Sequence, residues 1–355
     1  MKNGLKDGRK IMKKRYVMIG LLILLIISSQ SVFASAPKLG TAGASELLIP
    51  MGAKNVAMGG SNIANVSGTD AIYWNPAGLA MVKTGAASFT HMSYFADMNV
   101  SYLAAAVNAQ RLGTFGVSLQ ILSIGDIPVT TVLMPEGTGE VLSPDYLTLG
   151  VTYAKRFTDR ILFGTNAKLI SEKIGTMSAS AAAFDFGLQY VSPWGISFGV
   201  TMKNIGSSIK FDGTGIEFDS PISWADPSAT TRKTKLDMAS HELPTSMNLG
   251  LAYSYDLASM GKVNFTGSYN NNSFEIDHIN LGAEYGFNNM LFVRAGYTKV
   301  LYPDDWDYDT TSQFGLSFGL GLNLKLAGSN IAFDYANRPM ELFDANQYFA
   351  VSFGL

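Results

Sequence analysis

An alternation of apolar and small or polar residues near the end of the chain constrains the fold more than any other feature. The apolar positions are Phe314, Leu316, Phe318, Leu320, Leu322, Leu324 and Leu326, and the positions between them are Gly315, Ser317, Gly319, Gly321, Asn323 and Lys325. A strand points successive side chains to opposite faces. One face therefore suits lipid, and the other suits a crowded or aqueous interior. A soluble sandwich would bury the same apolar face under a second sheet.

The first residues have the composition of a secretion signal. Seven basic residues and one acidic residue are followed by an apolar run over 17–27, which is too short for a transmembrane helix of about 20 residues. Compact residues in Val32-Phe33-Ala34 occupy the positions that a signal peptidase reads. We expect export and cleavage after Ala34, with an uncleaved anchor as the alternative.

Charge and cysteine usage exclude several classes of partner and site. Because the leader carries most of the excess positive charge, its removal takes the net charge from −2 to about −8. A nucleic-acid partner is therefore not expected. The chain has no cysteine, which excludes a lipoprotein anchor, disulfides and thiolate metal sites. The sequence indicates no cofactor and no metal site.

Fourteen segments of the chain are predicted to be strands, and most have about ten residues or more, enough to cross a bilayer when tilted. The predicted spans are 86–96, 99–110, 112–124, 144–157, 160–173, 177–191, 196–205, 243–256, 260–270, 276–287, 289–300, 311–326, 329–337 and 345–355. The long connections all follow odd-numbered strands, as in outer-membrane barrels with long outside loops and short periplasmic turns. These connections are 125–143, 206–242, 301–310 and 338–344. The prediction is an all-β transmembrane protein of the bacterial outer membrane, a fourteen-stranded antiparallel barrel.

Three segments are predicted along the chain: a cleaved signal peptide (1–34), an N-terminal helical hatch inside the barrel (35–85) and the barrel (86–355). The hatch does not alternate. We expect a helix from Glu46 to Met58 that stops at Gly59-Gly60, and a short helix capped by Asp70. Asn75 is expected to cap a third, with Pro76 at its first position.

The alternation also predicts which polar residues face the lumen. They are Lys168, Asp185, Gln189, Lys203, Asn248, Glu284, Arg294, Asn323 and Asp334. Lys168 and Asp185 fall on neighbouring strands, as do Glu284 and Arg294, so we expect these opposite charges to pair. A structural role is the simpler interpretation, and a role in guiding a substrate is the alternative. Tyrosines predicted on the outward face should meet lipid headgroups. They are Tyr153, Tyr190, Tyr253, Tyr255, Tyr285 and Tyr297.

The hatch carries motifs that resemble a known family. Leu48-Ile49-Pro50-Met51-Gly52-Ala53, Ala57-Met58-Gly59-Gly60 and Asp70 to Ala80, which includes Trp74, Asn75, Pro76, Ala77 and Gly78, are similar to the signature of PorV/PorQ outer-membrane proteins. The Asn-Pro-Ala-Gly-Leu part is shared with FadL-type transporters, and the resemblance implies a FadL-like barrel with a hatch. Shorter matches at Ile127 to Thr131, Lys203 to Gly206 and Glu242 to Thr245 extend it along the chain.

The resemblance implies two functions. PorV-like proteins act in type IX secretion, where they receive the C-terminal sorting domains of secreted cargo, so the resemblance makes cargo and secretion components the expected partners. FadL-like proteins pass hydrophobic small molecules through the barrel. A structural or lipid-organising barrel is a third hypothesis, and outer-membrane lipid and lipopolysaccharide would surround the protein in every case.

Other motifs are interpreted as structural. Two Gly-x-Ser-x-Gly strings place Ser197 and Ser317 inside strands rather than at the sharp turn that a hydrolase needs, so no enzyme activity is expected. Asp305, Asp307 and Asp309 begin like a calcium loop, but Thr310 and Leu316 replace the required glycine and glutamate, which favours a solvated acidic loop. Partner binding is expected through the outside loops, chiefly 125–143 and 206–242. Loop 206–242 is the first candidate for protein contacts, and a lid or a disordered loop is the alternative interpretation of it. Its candidate residues are Asp212, Glu217, Trp224, Arg232 and Lys233.

Overall fold

In this computed structural model the described residues are 38–220, 232–302, 315–326 and 328–354, and they belong to one compact unit. Fourteen antiparallel strands in this part of the chain form a barrel. They are β1 (Gly85–Ser93), β2 (Asn99–Asn108), β3 (Thr114–Ser123), β4 (Asp145–Arg156), β5 (Ile161–Ile174), β6 (Met177–Val191), β7 (Ile196–Gly206), β8 (Ser246–Asp256), β9 (Lys262–Asn272), β10 (His278–Phe287), β11 (Leu291–Val300), β12 (Leu316–Leu326), β13 (Ser329–Arg338) and β14 (Asn346–Gly354). The predicted signal peptide and the acidic loop at 305–309 lie outside the described residues.

Consecutive strands pair, and the sheet closes where β1 pairs with β14, from Ala86 opposite Gly354 to Ser93 opposite Gln347. The prediction of a closed fourteen-stranded barrel is confirmed, with strand ends within a few residues of those expected. Period-two alternation explains this agreement, because Leu316, Phe318 and Leu320 are exposed on the outer face while Ser317 and Gly319 are buried inside. Within the described ranges no helix has both the length and the apolar character needed to cross a bilayer.

The loops at the outer end of the barrel, where β3 and β7 end, carry their own short strands. After β3, Ile127–Pro128 pairs with Val141–Leu142. After β7, Asp212–Gly213 adds to the edge of β6, and Glu217–Ser220 pairs with Arg232–Lys235. The connections at the opposite end are short, as the parity of the strands predicts.

Residues 38–84 form short helical pieces. They are a 3₁₀ turn at Ser45–Leu48, α1 (Ala53–Ala57), α2 (Ala71–Trp74) and a 3₁₀ helix at Pro76–Met81. The expected single helix from Glu46 to Met58 is wrong. Pro50 interrupts it because proline has no N–H to donate, and Gly52 adopts a left-handed φ of 84° that breaks the regular backbone.

The two predicted caps differ in outcome. Asp70 precedes α2 but makes no capping hydrogen bond with its side chain. Asn75 does cap the following 3₁₀ helix, since its Oδ1 accepts a hydrogen bond from Ala77 N at 3.2 Å, with Pro76 at the first position. The hatch therefore turns at Asn75 through a defined side-chain contact.

Glycines on the inner face of the wall allow the hatch to approach the strands closely. A Cβ on Gly164 would lie 2.3 Å from the Pro76 carbonyl carbon, and one on Gly296 would lie 2.1 Å from Gly59 N. A Cβ added to any of five more inward glycines would lie 2.6 Å or less from an atom of the hatch. These are Gly187, Gly199, Gly250, Gly282 and Gly319. The hatch is therefore seated directly against the backbone of the wall, and it buries apolar side chains such as Ile63, Ile72 and Leu79 in the lumen.

Candidate functional site

Asn75 links the hatch to the wall. Its side chain is fully buried, and its Nδ2 donates to Ile63 O within the hatch at 2.9 Å and to Leu188 O of β6 at 3.3 Å. Pro76 and Ala77 then lie against Gly164, and a Cβ on Gly78 would come within 2.0 Å of Val66 O. The Asn-Pro-Ala-Gly motif thus combines a hydrogen-bonding anchor with residues small enough to fit the wall.

Trp74 and the glycine pair form the centre of the hatch. Trp74 Nε1 donates to Met51 O at 2.6 Å, and the indole covers Gly60, where a Cβ would lie 2.9 Å from Cη2. Gly59 and Gly60 both have positive φ values, 66° and 72°, so the chain turns sharply where the ring lies. The glycine pair and Trp74 therefore depend on one another for their positions.

A cation from the wall covers the aromatic pair of the hatch. The Tyr73 and Trp74 rings meet edge to face with centroids 5.2 Å apart. The ammonium of Lys203, on β7, lies 3.7 Å from the Tyr73 centroid and 5.9 Å from the Trp74 centroid. This cation–π contact adds an attraction between hatch and wall beyond apolar packing.

The first charged group in the lumen forms at an irregularity between β6 and β7. Lys168 Nζ lies 2.7 Å from Asp185 Oδ1, which also accepts from Asn204 N at 2.8 Å. The register of β6 and β7 shifts at Asp185, and Asn204 has a φ of 60°, so its side chain turns inward to meet Lys168 and Pro244 O. A bulge thus connects the charge pair to the start of β8.

The second group centres on Arg294 of β11. Its Nε lies 2.6 Å from Glu284 Oε2 on β10, and its Nη1 lies 2.6 Å from Asp334 Oδ1 on β13. Lys54 of α1 reaches Glu284 Oε2 at 3.7 Å. The network therefore includes a hatch residue as well as three strands of the wall.

Asp70 is a hatch carboxyl group close to this network. Its pKa is raised to about 6, chiefly by burial and then by the negative charge of Asp334, while the positive charges of Lys54 and Arg294 oppose the rise. The Asp70 carboxylate also lies beside Gly52, where a Cβ would come within 2.8 Å of Oδ1. Asp70 therefore makes a close contact with Gly52 inside the hatch and does not cap a helix.

Two cavities differ in size and in the side chains that line them. A lumenal cavity of about 20 Å³ is lined by polar groups that include Lys168, Asp185 and Lys203, and it has room for about one water molecule. A much larger apolar groove, about 640 Å³, lies against outward side chains such as Phe89, Phe333 and Phe349. The larger of these two spaces therefore lies on the outer surface of the barrel wall and not in the lumen.

The candidate partner-binding residues of the loop after β7 form a charged hairpin. Lys233 Nζ lies 3.8 Å from Glu217 Oε2, and Lys235 pairs with Asp212. Arg232 is exposed at the end of the same hairpin, and Trp224 lies outside the described residues. The described loop residues mainly pair with one another, so the structure brings no single-sign charge patch together there.

Sequence reasoning missed a sharper feature on the other long loop. Thr131 and Met134 exchange backbone hydrogen bonds of 3.1 and 3.2 Å, which close a turn at the tip of the hairpin after β3. Val132 and Leu133, between them, are 99% and 91% exposed. The apolar run Val132-Leu133-Met134 was present in the sequence, but only the turn geometry shows that it points into solvent. No cluster of three or more potential metal ligands occurs among the residues described.

Two kinds of known protein are similar to this chain. The family model described as type IX secretion system protein PorV matches residues 34–230. Similar solved structures include a Pseudomonas aeruginosa FadL homologue, with 10% identity, a TM-score of 0.53 and coverage of 90% of this chain and 99% of that one. The Pseudomonas putida toluene transporter TodX has 13% identity, a TM-score of 0.51 and coverage of 90% and 98%. The CymD monoaromatic hydrocarbon channel has 12% identity, a TM-score of 0.52 and coverage of 86% and 97%. No curated protein matches the sequence. At identities this low, the structural similarity establishes a shared fold only.

Proposed function

Because the chain belongs to the PorV family, we propose that this outer-membrane barrel acts in type IX protein secretion by binding other proteins rather than by catalysis. Its outside loops bind the C-terminal sorting domains of secreted cargo, components of the translocon, or both. The family match supports a role in type IX secretion, and the barrel fold supports a location in the outer membrane. The loops support the mode of action.

The observation that carries the proposal is the apolar tip of the hairpin after β3. Contiguous apolar residues that remain exposed often mark a protein–protein interaction site. Here the backbone hydrogen bonds between Thr131 and Met134 fix the turn, so Val132 and Leu133 are presented without a large ordering cost on binding. This tip is suited to enter an apolar groove on a protein partner.

The test replaces the two exposed residues of the tip and measures whether cargo is still exported. In the double variant Val132→Ser/Leu133→Ser, we expect cargo bearing sorting domains to accumulate in the periplasm, as in a deletion strain. Leu342→Ser is the matched control, because Leu342 is 73% exposed on a different outer loop. Heat-modifiable migration of each variant in gels checks that the barrel is folded.

The outcomes separate two parts of the proposal. Normal export of all such cargo in the deletion strain would contradict the secretion role itself. A deletion that blocks export, together with normal export in the double variant, would contradict only the assignment of binding to this tip.

A second candidate is passive transport of hydrophobic small molecules, which the fold similarity to the toluene transporter TodX suggests. The small polar cavity in the described lumen does not favour it, since such a ligand would need an apolar route between hatch and wall. Uptake of radiolabelled toluene by cells with and without the protein tests this function. Faster uptake with the protein, abolished when the hatch is fixed to the wall, would support transport.

A further inference from the structure

Two carboxyl groups meet where the first part of the hatch contacts the wall. Glu46, in the turn Ser45–Leu48, is 2% exposed, and Glu172 of β5 is 5% exposed. Apart from Glu172 itself, no described side chain donates a hydrogen bond to the carboxyl oxygens of Glu46. Leu47 and Ile170, which are close in sequence to the two glutamates, belong to one buried apolar cluster.

Among the residues that the structure describes, no positively charged side chain offsets the charge of Glu46. Among the described residues, the titratable groups that face Glu46 are Glu172 from β5 and Tyr146 from β4. The contact from β3 is the neutral Gln120, whose Nε2 donates to the Glu46 backbone carbonyl at 3.0 Å. Two carboxylates that are buried together cannot both remain ionised at low cost, so a proton is the simplest way to satisfy this contact.

The rest of the segment makes further contacts at the outer end of the barrel. Gly43 N donates to Glu242 O at 2.9 Å, and the His241 ring lies 3.3 Å from Thr41 O. Lys38 forms a largely exposed ion pair with Glu242. These contacts tie residues 38–48 to the loop that follows β7, while Glu46 is the buried polar group that ties the same segment to the barrel wall.

We propose that Glu46 and Glu172 share one proton, and that this proton latches residues 38–48 to the wall of the barrel. When both groups ionise, their repulsion weakens the latch and the segment separates from the wall. Loss of the latch frees the part of the hatch that contacts the outside loop after β7, so proton concentration and loop position become linked.

The direction of the pH effect follows from the raised pKa of Glu46. Burial, and then the negative charge of Glu172, raises this pKa from 4.5 to about 8. Docking of the segment therefore takes up a proton between these values. The equilibrium constant for docking should be highest below about pH 4.5 and should decrease by up to about tenfold per pH unit between pH 4.5 and pH 8.

The absence of cysteine allows a clean probe of this latch. A nitroxide label on Ser45→Cys, an exposed position next to Glu46, reports segment mobility by electron paramagnetic resonance in the full chain in lipid vesicles. We expect an immobile spectrum at pH 5 and a growing mobile component up to pH 8. A label on Glu136→Cys, exposed on the loop after β3, is the control and should not respond to pH.

Two variants identify the groups involved. Glu46→Gln and Glu172→Gln each replace one carboxyl group with a neutral amide that can still hydrogen-bond to the other, so each should keep the label immobile from pH 5 to pH 9. A wild-type spectrum that does not change with pH would overturn the proposal, as would unchanged pH dependence in both folded variants. Immobilisation that follows added calcium instead of pH would show a metal-bound pair and would also overturn it.

Discussion

Arg294 Nε lies 2.6 Å from Glu284 Oε2 across the β10–β11 pair, and both side chains are at least 96% buried. Burying a charge is costly unless it is paired and hydrogen-bonded, and this pair is completed by Asp334 from β13 and by Asn264, which donates to Glu284 Oε1 at 2.8 Å. Lys54 of the hatch lies 3.7 Å from Glu284 Oε2, so this charged network of the wall also includes a contact with the hatch.

Arg294→Met should therefore destabilise the barrel strongly. It leaves two buried carboxylates without their main partner, and breaking such a pair from one side costs about 3–5 kcal/mol. Urea unfolding in lipid vesicles measures the change in the free energy of unfolding. Lys38→Met is the matched control, because it removes the exposed Lys38–Glu242 pair and should cost about 1 kcal/mol or less. Equal losses in the two variants would contradict a special role for the buried network.

Asp70 gives the hatch a second, separate pH dependence. Its pKa in the folded protein, about 6, lies above the ordinary value of 3.8, so folding favours the protonated form. The stabilising contribution is complete below about pH 3.8 and is lost as the pH rises through 6, for a total of about 3 kcal/mol.

Asp70→Asn should accordingly be more stable than the wild type at pH 8, while the two should be similar at pH 4. Melting temperatures across this range measure the difference. A constant difference between variant and wild type at every pH would show that the ionisation of Asp70 has no linkage to stability.

Asn75→Ala should loosen the hatch. The change removes the hydrogen bond to Leu188 O and the cap on Ala77 N, and it leaves Ile63 O with the 3.2 Å hydrogen bond from Gln189 Nε2, at a total cost of about 1–3 kcal/mol. We expect larger and more frequent conductance steps in planar bilayers. Asn65→Ala is the control from the same segment, because Asn65 makes only a 3.4 Å contact with Ser254 Oγ. Silent bilayers with the Asn75 variant would argue that other contacts alone keep the hatch in place.

Gly296→Ala tests the close seating of the hatch. The added Cβ would lie 2.1 Å from Gly59 N, which is backbone and cannot move aside without shifting the hatch. Gly267→Ala is matched in size but meets its nearest neighbour, Leu281 Cδ2, at 3.5 Å, an ordinary contact. Proteolysis of residues 52–62 should accelerate in the first variant and not in the second. Identical cleavage rates would mean that the hatch does not rest on Gly296.

The strands of this fold could be predicted well from the sequence, because lipid on one side and a crowded lumen on the other impose a period of two on every strand. The prediction fails where that period breaks. Lys203 and Asn204 are consecutive yet both buried, since the shifted register at Asp185 turns Asn204 inward. A bulge depends on the pairing of two strands, and one strand's pattern does not contain that information.

The hatch and the loops were harder to predict for a different reason. Pro50 and Gly52 divide an otherwise helical pattern, and the position of each piece depends on which wall glycine it meets. At the tip of the loop after β3, Val132 and Leu133 are ordinary aliphatic residues in the sequence. Their exposure follows from the turn that Thr131 and Met134 close, so the candidate contact surface emerges only from tertiary geometry.

The seam between β1 and β14 has a consequence for biogenesis. These two strands lie at opposite ends of the barrel sequence, so the cylinder can be sealed only after all the intervening strands have been delivered to the assembly site. The helical insert precedes β1 and contacts strands around most of the circumference, from β5 to β12. It must therefore either be enclosed while the ring closes or be threaded into the finished tube afterwards. Which of these two routes is taken would govern how fast the protein matures.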